Sequence, residues 1–266
     1  MTERSTPPTP RPRIVFFDVG DTLVRVDPSW SAIYLAGCRE FGLAVDEDAL
    51  ERAVGDASGG GFWDGGGPFE ATEEASYQRI KAFDVRVMAA LGHPDLPDRF
   101  YRRLGELFLA VEAWHVYPDV RPALDQLETA GIRAAVISNW VWGLPELLHD
   151  LDLAHRFERV VVSSRVGFDK PHPAIFERAL ELTGVPPDAA VHVGDNPATD
   201  VAGARAAGIR PILIRRRPER APVHPDVALD GVPVIRDLSE LPALLEIGGP
   251  PTVGEGLAAT ARSSRA

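Results

Sequence analysis

The chain has one cysteine, Cys38, so neither an internal disulfide nor a cysteine-rich zinc site can form. It also lacks any apolar run near the length that spans a bilayer, and its first residues, MTERSTPPTPRPR, lack the apolar segment of a signal peptide. Basic residues are in the minority, with 28 Lys and Arg against 39 Asp and Glu, which gives a net charge of −11. This balance disfavours binding to nucleic acid or to an anionic membrane. We therefore expect a cytoplasmic protein with neither of these partners.

The chain does contain enough apolar material for a sizeable core. Hydrophobic residues make up 45% of its 266 positions, which can fold into one or two lobes. Residues 1–12 are rich in Pro, Thr and Arg, and residues 248–266 mix Gly, Pro, Ser and Ala without a sustained apolar period. Such segments cannot bury enough surface to offset the entropy lost on ordering. We predict a disordered tail at each end.

Between these tails, strand-like apolar runs alternate with helical patterns. The alternation predicts an α/β fold in which a doubly wound, largely parallel sheet carries helices on both faces. Strands are predicted at 14–18, 133–138, 159–163, 189–193, 211–215 and 232–235, and helices at 119–130, 143–151, 173–183, 198–207 and 238–246.

Residues 25–114 interrupt this alternation. They lack convincing strands and carry helical patterns such as SWSAIYLAGCREFG and ASYQRIKAFDVRVMAALG. We therefore predict an α-helical domain inserted after the first strand, with residues 13–24 and 115–247 forming the core.

The run IVFFDVGDTLV, residues 14–24, is the most informative segment. A hydrophobic strand ends in Asp18, and open α/β sheets carry their chemistry at the carboxyl ends of their strands. Asp18 is therefore the candidate nucleophile. The alternative is that Asp18, Asp21 and Thr22 merely shape the turn that follows the strand, as these residue types often do.

Three later segments also place reactive side chains near the ends of predicted elements. AAVISNW contains Ser138 and Asn139, RVGFDKPHPAIF carries Lys170, and AVHVGDNPATD contains Asp195 and Asp200. Taken singly, each has a plainer interpretation: a helix cap for Ser138 and Asn139, a surface position for Lys170, and charges at a helix N-terminus for the two aspartates. A catalytic role is the interpretation that brings all of them to one edge of one sheet.

The order of these segments, with Asp followed by Ser, Lys and an acidic pair, resembles the four motifs of the haloacid dehalogenase-like (HAD) hydrolase superfamily. The resemblance extends over roughly residues 14–215. It implies a Rossmann-like core and, at residues 25–114, a helical cap of the C1 type that closes over the site. It also implies a Mg²⁺-dependent phosphohydrolase that acts on a small phosphorylated metabolite through an aspartyl-phosphate intermediate.

The resemblance implies roles for individual residues. Asp18 would attack the phosphorus atom, and Lys170 would neutralise charge on Asp18 and on the phosphoryl oxygens. Ser138 and the backbone N–H of Asn139 would donate hydrogen bonds to the phosphoryl group. Thr22 is a further candidate for substrate binding.

Mg²⁺ prefers hard oxygen ligands, and the resemblance assigns it to Asp18, the Gly20 carbonyl, Asp195 and Asp200. Gly20 is also where the sequence departs from the superfamily pattern. In phosphatases of the superfamily this motif has the pattern D-x-D-x-T. Their second aspartate protonates the leaving oxygen and then activates water. In this chain the acidic residue comes one place later, at Asp21. Proton transfer of this kind is worth about 10² to 10⁴ in rate.

The departure leaves several outcomes open. Asp21 takes over the proton transfer, or the substrate has a leaving group that needs little protonation, such as an acyl phosphate. A third outcome is a weakly active or non-catalytic protein that binds a phosphorylated ligand. A dehalogenase-type C–X hydrolase needs no acid either, but Asp195 and Asp200 would place unbalanced charge beside its anionic substrate.

The segment GDASGGGFWDGGGPFE, residues 55–70, is the most unusual part of the insertion. It is either a flexible specificity loop that brings Trp63 over the pocket, where it would bind substrate, or an exposed linker between two helices. A small phosphorylated molecule is the expected partner, and the protein is expected to be a monomer or a homodimer.

Overall fold

A six-stranded sheet forms the centre of the computed structural model, which describes residues 11–58, 66–216 and 227–247. Its strand order is β5-β4-β1-β6-β7-β8, and each neighbouring pair is parallel. The predicted parallel α/β fold is confirmed, and three of the six predicted strands are shorter than predicted while the other three have the predicted length. The strands are β1 (Ile14–Phe17), β2 (Val24–Val26), β3 (Trp114–Val116), β4 (Arg133–Ser138), β5 (Val160–Val162), β6 (Ala190–Gly194), β7 (Arg210–Ile214) and β8 (Val234–Ile235).

Helices surround this sheet, and the five that were predicted for the core are present. The last predicted helix is split into a 3₁₀ turn, Leu238–Glu240, and α10, and the helix predicted at 198–207 begins as a π-helical turn, Pro197–Val201. The α-helices are α1 (Trp30–Glu40), α2 (Glu47–Ser58), α3 (Glu73–Ala90), α4 (Asp98–Leu109), α5 (Val120–Thr129), α6 (Leu144–Asp150), α7 (Ser163–Val166), α8 (Pro173–Thr183), α9 (Ala202–Ala206) and α10 (Leu241–Leu244).

Strand β1 shows why the sheet needs helices on both faces. Its four residues are fully buried, and because side chains alternate along a strand they face two different apolar clusters. Val15 and Phe17 belong to a cluster that includes the apolar faces of α5 and α6. Ile14 and Phe16 belong to a second cluster that includes α8 and α9. The sheet is therefore covered on both sides, as in a doubly wound fold.

Helices α1 to α4, here called the inserted helices, lie between β2 and β3 and have an apolar cluster of their own. Leu50, Phe83, Val87, Met88 and Phe100 are among its buried members. Cys38 is also buried, on α1.

The expectation that residues 25–114 lack strands needs a correction. Strands β2 and β3 pair antiparallel at the two ends of this segment, with Val24 opposite Val116 and Val26 opposite Trp114. Each has three residues, which is too short for an alternating pattern to be recognised in the sequence. The two-stranded ribbon joins the inserted helices to the core.

Several sequence predictions fall outside the described residues. Trp63 lies there, as do residues 1–10 and 248–266 of the two predicted tails. Among the residues that are described, none of the helices combines the length and apolar character needed to cross a membrane.

Candidate active site

Asp18 follows the central strand β1, which lies between β4 and β6. Its backbone N–H donates to the Val193 carbonyl at 2.9 Å, which continues the ladder of hydrogen bonds and fixes the residue at the carboxyl edge of the sheet. The Asp18 side chain is buried and accepts two hydrogen bonds at Oδ1, from Ser138 Oγ at 2.8 Å and from Lys170 Nζ at 2.7 Å. Burial raises the pKa of Asp18, and the Lys170 ammonium offsets part of this effect.

Lys170 lies in the loop between α7 and α8, and its side chain is only 2% exposed. Its Nζ atom bridges two carboxylates, at 2.7 Å from Asp18 Oδ1 and 2.6 Å from Asp200 Oδ1. Burial alone would lower the pKa of Lys170, but the two carboxylates outweigh it and the pKa lies above its usual value. The ammonium therefore stays charged in a position where it can meet a phosphoryl group.

Asn139 fixes the loop that carries Lys170. Its Oδ1 accepts from the Lys170 backbone N–H at 2.6 Å, and its Nδ2 donates to the Lys170 carbonyl at 3.0 Å. The side chain is thus used to hold the loop. The role predicted for the Asn139 backbone N–H, a hydrogen bond to substrate, stays a prediction.

Asp200 is held in the π-helical turn after β6 by three groups. Besides Lys170, His192 Nε2 hydrogen-bonds to its Oδ1 at 2.8 Å and the Asn196 backbone N–H donates to its Oδ2 at 3.0 Å. Burial acts to raise the pKa of Asp200, but the Lys170 ammonium and His192 outweigh it, so the pKa lies below its usual value. Gly194 makes this packing possible, because a Cβ atom there would collide with Cγ of Asp200.

Asp195 completes a group of three carboxylates. Its oxygen and those of Asp18 and Asp200 lie within 4.8 Å of one another. Burial, followed by the charges of Asp18 and Asp200, raises the pKa of Asp195 well above its usual value. One buried ammonium therefore offsets only part of the negative charge of three carboxylates. A divalent cation, which prefers hard oxygen ligands, would balance the rest.

The other predicted residues of the first motif, Gly20, Asp21 and Thr22, lie in environments that differ from that of Asp18. Gly20 lines the large cavity described below, and a Cβ atom at this position would lie 3.4 Å from the Trp140 ring. Asp21 is exposed, has a φ of 47°, and accepts a hydrogen bond from Tyr117 Oη at 3.2 Å. Thr22 is fully buried and is not among the residues that line the cavity. The structure thus brings Gly20 and Asp21 to the site and leaves the Thr22 side chain beneath it.

A cavity of about 1300 Å³ opens above the carboxylates, between the core and the inserted helices. Asp18, Ser138, Lys170 and Asp195 line its core side, together with Asp200. The opposite side is formed by α1, α3 and α4.

The inserted helices also contact the loop that carries Lys170. Arg79 on α3 donates from Nη2 to Oδ2 of Asp169 at 2.6 Å, and Asp169 is fully buried. The Phe69 backbone N–H donates to the Gly167 carbonyl at 3.0 Å. The Asp169 backbone N–H also donates to the Gly66 carbonyl at 3.0 Å, so three hydrogen bonds connect the insertion to the residues immediately before Lys170.

Sequence reasoning missed His192, Gly194 and the Arg79–Asp169 pair. The first two stand in the HVGD run, where a histidine inside an apolar strand and a glycine at its end were both visible signals. The ion pair joins residues 90 positions apart and gave no local signal.

The comparison with protein families matches residues 12–208 to the haloacid dehalogenase-like hydrolases. A haloacid dehalogenase-like hydrolase domain-containing protein 3 from Xenopus laevis is 32% identical over 204 residues, which cover 76% of this chain and 84% of that protein. A phosphoserine phosphatase from Thermus thermophilus is 38% identical over 133 residues, which cover 47% of this chain and 52% of the phosphatase.

Solved structures show the same architecture. A HAD phosphatase from Thermococcus onnurineus has a TM-score of 0.62 and 25% identity, covering 88% of this chain and 98% of that one. A 2-haloacid dehalogenase from Pseudomonas syringae has a TM-score of 0.58 and 28% identity, again covering 88% and 98%. The geometry of the site and the extent of these similarities agree, and the chain belongs to the haloacid dehalogenase-like hydrolase family.

Proposed function

We propose that the protein is a Mg²⁺-dependent phosphatase that hydrolyses a small phosphomonoester through an aspartyl-phosphate at Asp18. One observation carries the proposal: Asp18, Asp195 and Asp200 converge within 4.8 Å at the sheet edge, with a single buried ammonium, Lys170, between two of them. A phosphoryl group needs a nucleophilic oxygen and fixed positive charge, and this arrangement offers both once a cation is bound.

The chain's own residues divide the reaction between them. A carboxylate oxygen of Asp18 forms a bond to phosphorus, and the ester oxygen leaves with the electron pair of the broken P–O bond. Lys170 and Ser138 face the same space and stabilise the charge on the phosphoryl oxygens. Water then cleaves the acyl phosphate, which releases inorganic phosphate and restores Asp18.

Asp18, Asp195 and Asp200 are the residues that would hold Mg²⁺, and the Gly20 carbonyl is a further candidate ligand. When bound, the cation supplies positive charge that Lys170 alone does not provide, and it helps to orient the phosphoryl group. Asp195 gives the strongest support, because burying a third carboxylate beside two others is unfavourable without a counter-ion.

The proton for the leaving oxygen is assigned to Asp21 in this proposal. Asp21 lines the cavity, and its charge contributes to the raised pKa of Asp195, so it lies near the reacting groups. A comparison of Asp21→Ala with Gly20→Asp tests this. Turnover should fall in Asp21→Ala, and Gly20→Asp combined with it should restore part of the loss; unchanged turnover in Asp21→Ala would exclude this role.

Dehalogenation is the alternative that shares the nucleophile. A 2-haloacid carries a carboxylate of its own, and placing it beside three further carboxylates is unfavourable. We therefore expect no halide release from 2-chloropropionate under conditions where phosphate is released from phosphomonoesters.

The direct test is a panel of phosphorylated metabolites and acyl phosphates, assayed for phosphate release with Mg²⁺ and with EDTA. Asp18→Asn should abolish the release, while Asp188→Asn, which changes an exposed aspartate remote from the cavity, should not. Turnover that survives in Asp18→Asn, or that is indifferent to EDTA, would contradict the proposal.

A further inference from the structure

The cavity is much larger than a phosphoryl group requires. Its volume of about 1300 Å³ exceeds the range of about 300–1,000 Å³ typical of sites for small molecules. The catalytic carboxylates occupy its core side, so the inserted helices must surround the alcohol that leaves with the ester oxygen. Their side chains therefore indicate what kind of alcohol the site accepts.

The distal part of the cavity, which is the side formed by the inserted helices, carries negative charge. Among the described residues that line the cavity, the inserted helices contribute four carboxylates and one guanidinium, Arg102. Arg102 is already engaged, because its Nε donates to Asp98 at 2.8 Å and its Nη2 lies 3.7 Å from Glu74. The same pair offsets the charge of Glu74, and Arg103 lies 2.9 Å from Glu106, so the negative charge of this part rests on Glu73 and Asp84. It would repel a leaving group that carries a second phosphate or a carboxylate.

Asp84 is the most enclosed of the four carboxylates. It lies on α3, is 5% exposed, and accepts a hydrogen bond from Tyr34 Oη at 2.6 Å. The other three, Glu73, Glu74 and Glu106, are exposed on α3 and α4. A ligand that contacts Asp84 would therefore be shielded from water. Charge interactions are strongest in such a shielded position.

Aromatic rings of the inserted helices also line the cavity. Tyr34, Phe83 and Phe108 line it, as do Trp30 and Tyr77. Trp30 and Phe108 stack with their centroids 5.4 Å apart. A cavity that combines a buried carboxylate with aromatic faces suits an organic cation, which can gain both ion pairing and cation–π attraction.

We propose that the substrate is a phosphomonoester of an amino alcohol, and that Asp84, oriented by Tyr34, binds the ammonium group of the leaving alcohol. This inference rests on the proposed function, because it takes the phosphoryl group to lie at Asp18. In this proposal the inserted helices select a cationic, partly apolar leaving group over an anionic one.

The protonation of Asp84 agrees with such a role. Burial raises its pKa to about 7, although the hydrogen bond from Tyr34 acts in the opposite direction. A carboxyl group with this pKa is poorly solvated when ionised, so an ammonium group beside it would recover a large part of the lost solvation. A neutral hydroxyl in the same place would recover less.

Three aryl phosphates that differ only in the tail opposite the phosphate provide the test. O-phosphotyramine carries an ammonium, 4-ethylphenyl phosphate carries no charge, and 3-(4-phosphooxyphenyl)propionate carries a carboxylate. With Mg²⁺ present, kcat/KM for the amine ester should exceed that for the neutral ester by about 10- to 100-fold, as expected for a hydrogen-bonded charge pair. The propionate ester should be the poorest substrate.

Asp84→Asn keeps the size of the side chain and its ability to accept from Tyr34. It should bring the ratio of kcat/KM for the amine ester to kcat/KM for the neutral ester down to about 1. A cooperative urea transition shows that the variant is folded. Asp56→Asn, which alters an exposed carboxylate on α2 outside the cavity, should keep the preference. A preference that is absent in the wild type, or that persists in Asp84→Asn, would overturn the inference.

The two proposals fail in different ways. If neither these esters nor any member of the panel of phosphorylated metabolites and acyl phosphates is hydrolysed, the proposed function is wrong. Calorimetric binding of O-phosphotyramine and 4-ethylphenyl phosphate then decides the inference alone. Tighter binding of the amine ester that is lost in Asp84→Asn would support it. Equal binding of the two esters would refute it.

Discussion

Replacing Lys170 with methionine removes the buried ammonium and preserves most of the side-chain volume. In the wild-type protein this ammonium contacts Asp18 at 2.7 Å and Asp200 at 2.6 Å, and the Lys170 side chain is 2% exposed. Removing one partner from a buried ion pair costs about 3–5 kcal/mol, because the remaining charges are left without compensation. We therefore expect the free energy of unfolding of Lys170→Met, measured without metal near neutral pH, to be lower by about this amount.

The loss should depend on pH in a defined direction. Lys170 holds the pKa of Asp200 below its usual value, so removing the ammonium raises the folded-state pKa of Asp200. The variant can then protonate its carboxylates at low pH but must bury them ionised at high pH. The stability difference between wild type and variant should grow with pH between the folded-state pKa values of Asp200 in the two proteins, and it should level off above the variant's value.

Urea denaturation of both proteins at about pH 5 and about pH 8, in EDTA and in excess Mg²⁺, measures this effect. Mg²⁺ should reduce the deficit, because it binds the folded carboxylates and replaces part of the lost positive charge. Lys81→Met is the matched control: Lys81 pairs with Asp98 at 2.6 Å at the protein surface, so its loss should matter much less. A Lys170→Met protein as stable as Lys81→Met at about pH 8 in EDTA would refute the assigned charge balance.

Three further expectations concern neighbouring residues. Gly194→Ala should lower phosphate release by about 10²-fold, because its Cβ displaces Asp200. Gly55→Ala, which adds a Cβ in open space on α2 outside the cavity, should retain activity, and equal activities of the two variants would contradict the close packing. His192→Phe removes a hydrogen bond to Asp200, and a metal titration should show Mg²⁺ activation weakened by about 10- to 100-fold. Unchanged activation would contradict this role of His192. The pKa of Asp84 rises from 3.8 to about 7 on folding. The free energy of unfolding of the wild type, measured in urea, should therefore fall relative to that of Asp84→Asn between about pH 4 and pH 7, by up to about 4 kcal/mol. Parallel pH profiles of the two proteins would argue against a buried ionisation.

The sequence predicted the parts of the site that are carried by strand ends. Asp18, Ser138 and Asp195 each follow or end an apolar strand, and parallel strands bring their carboxyl ends to one edge. The alternation of strands and helices was enough to predict the common edge. The strand order, in which β1 pairs with both β4 and β6 and so brings these residues together, comes from the structure. Lys170 could be predicted through the resemblance of its motif, although it lies in a loop.

Contacts between distant segments could not be predicted in the same way. Asp84 belongs to a helix whose pattern is clear, and it occupies the face that also carries Ile80, Val87 and Met88. A carboxylate at such a position was a usable signal, but its partner Tyr34 is 50 residues away and only the packing of α1 against α3 reveals the pair. The Arg79–Asp169 contact likewise depends on how the inserted helices meet the core.

Transfer of a phosphoryl group to Asp18 is the most direct test of the account. Wild-type protein should be mixed with Mg²⁺ and O-phosphotyramine or an acyl phosphate, quenched in acid within milliseconds, digested, and analysed by mass spectrometry. The account predicts one phosphoryl group on the peptide that contains Asp18, absent in Asp18→Asn and after addition of EDTA. Phosphate release without such a modified peptide, or with the phosphoryl group on another residue, would contradict it.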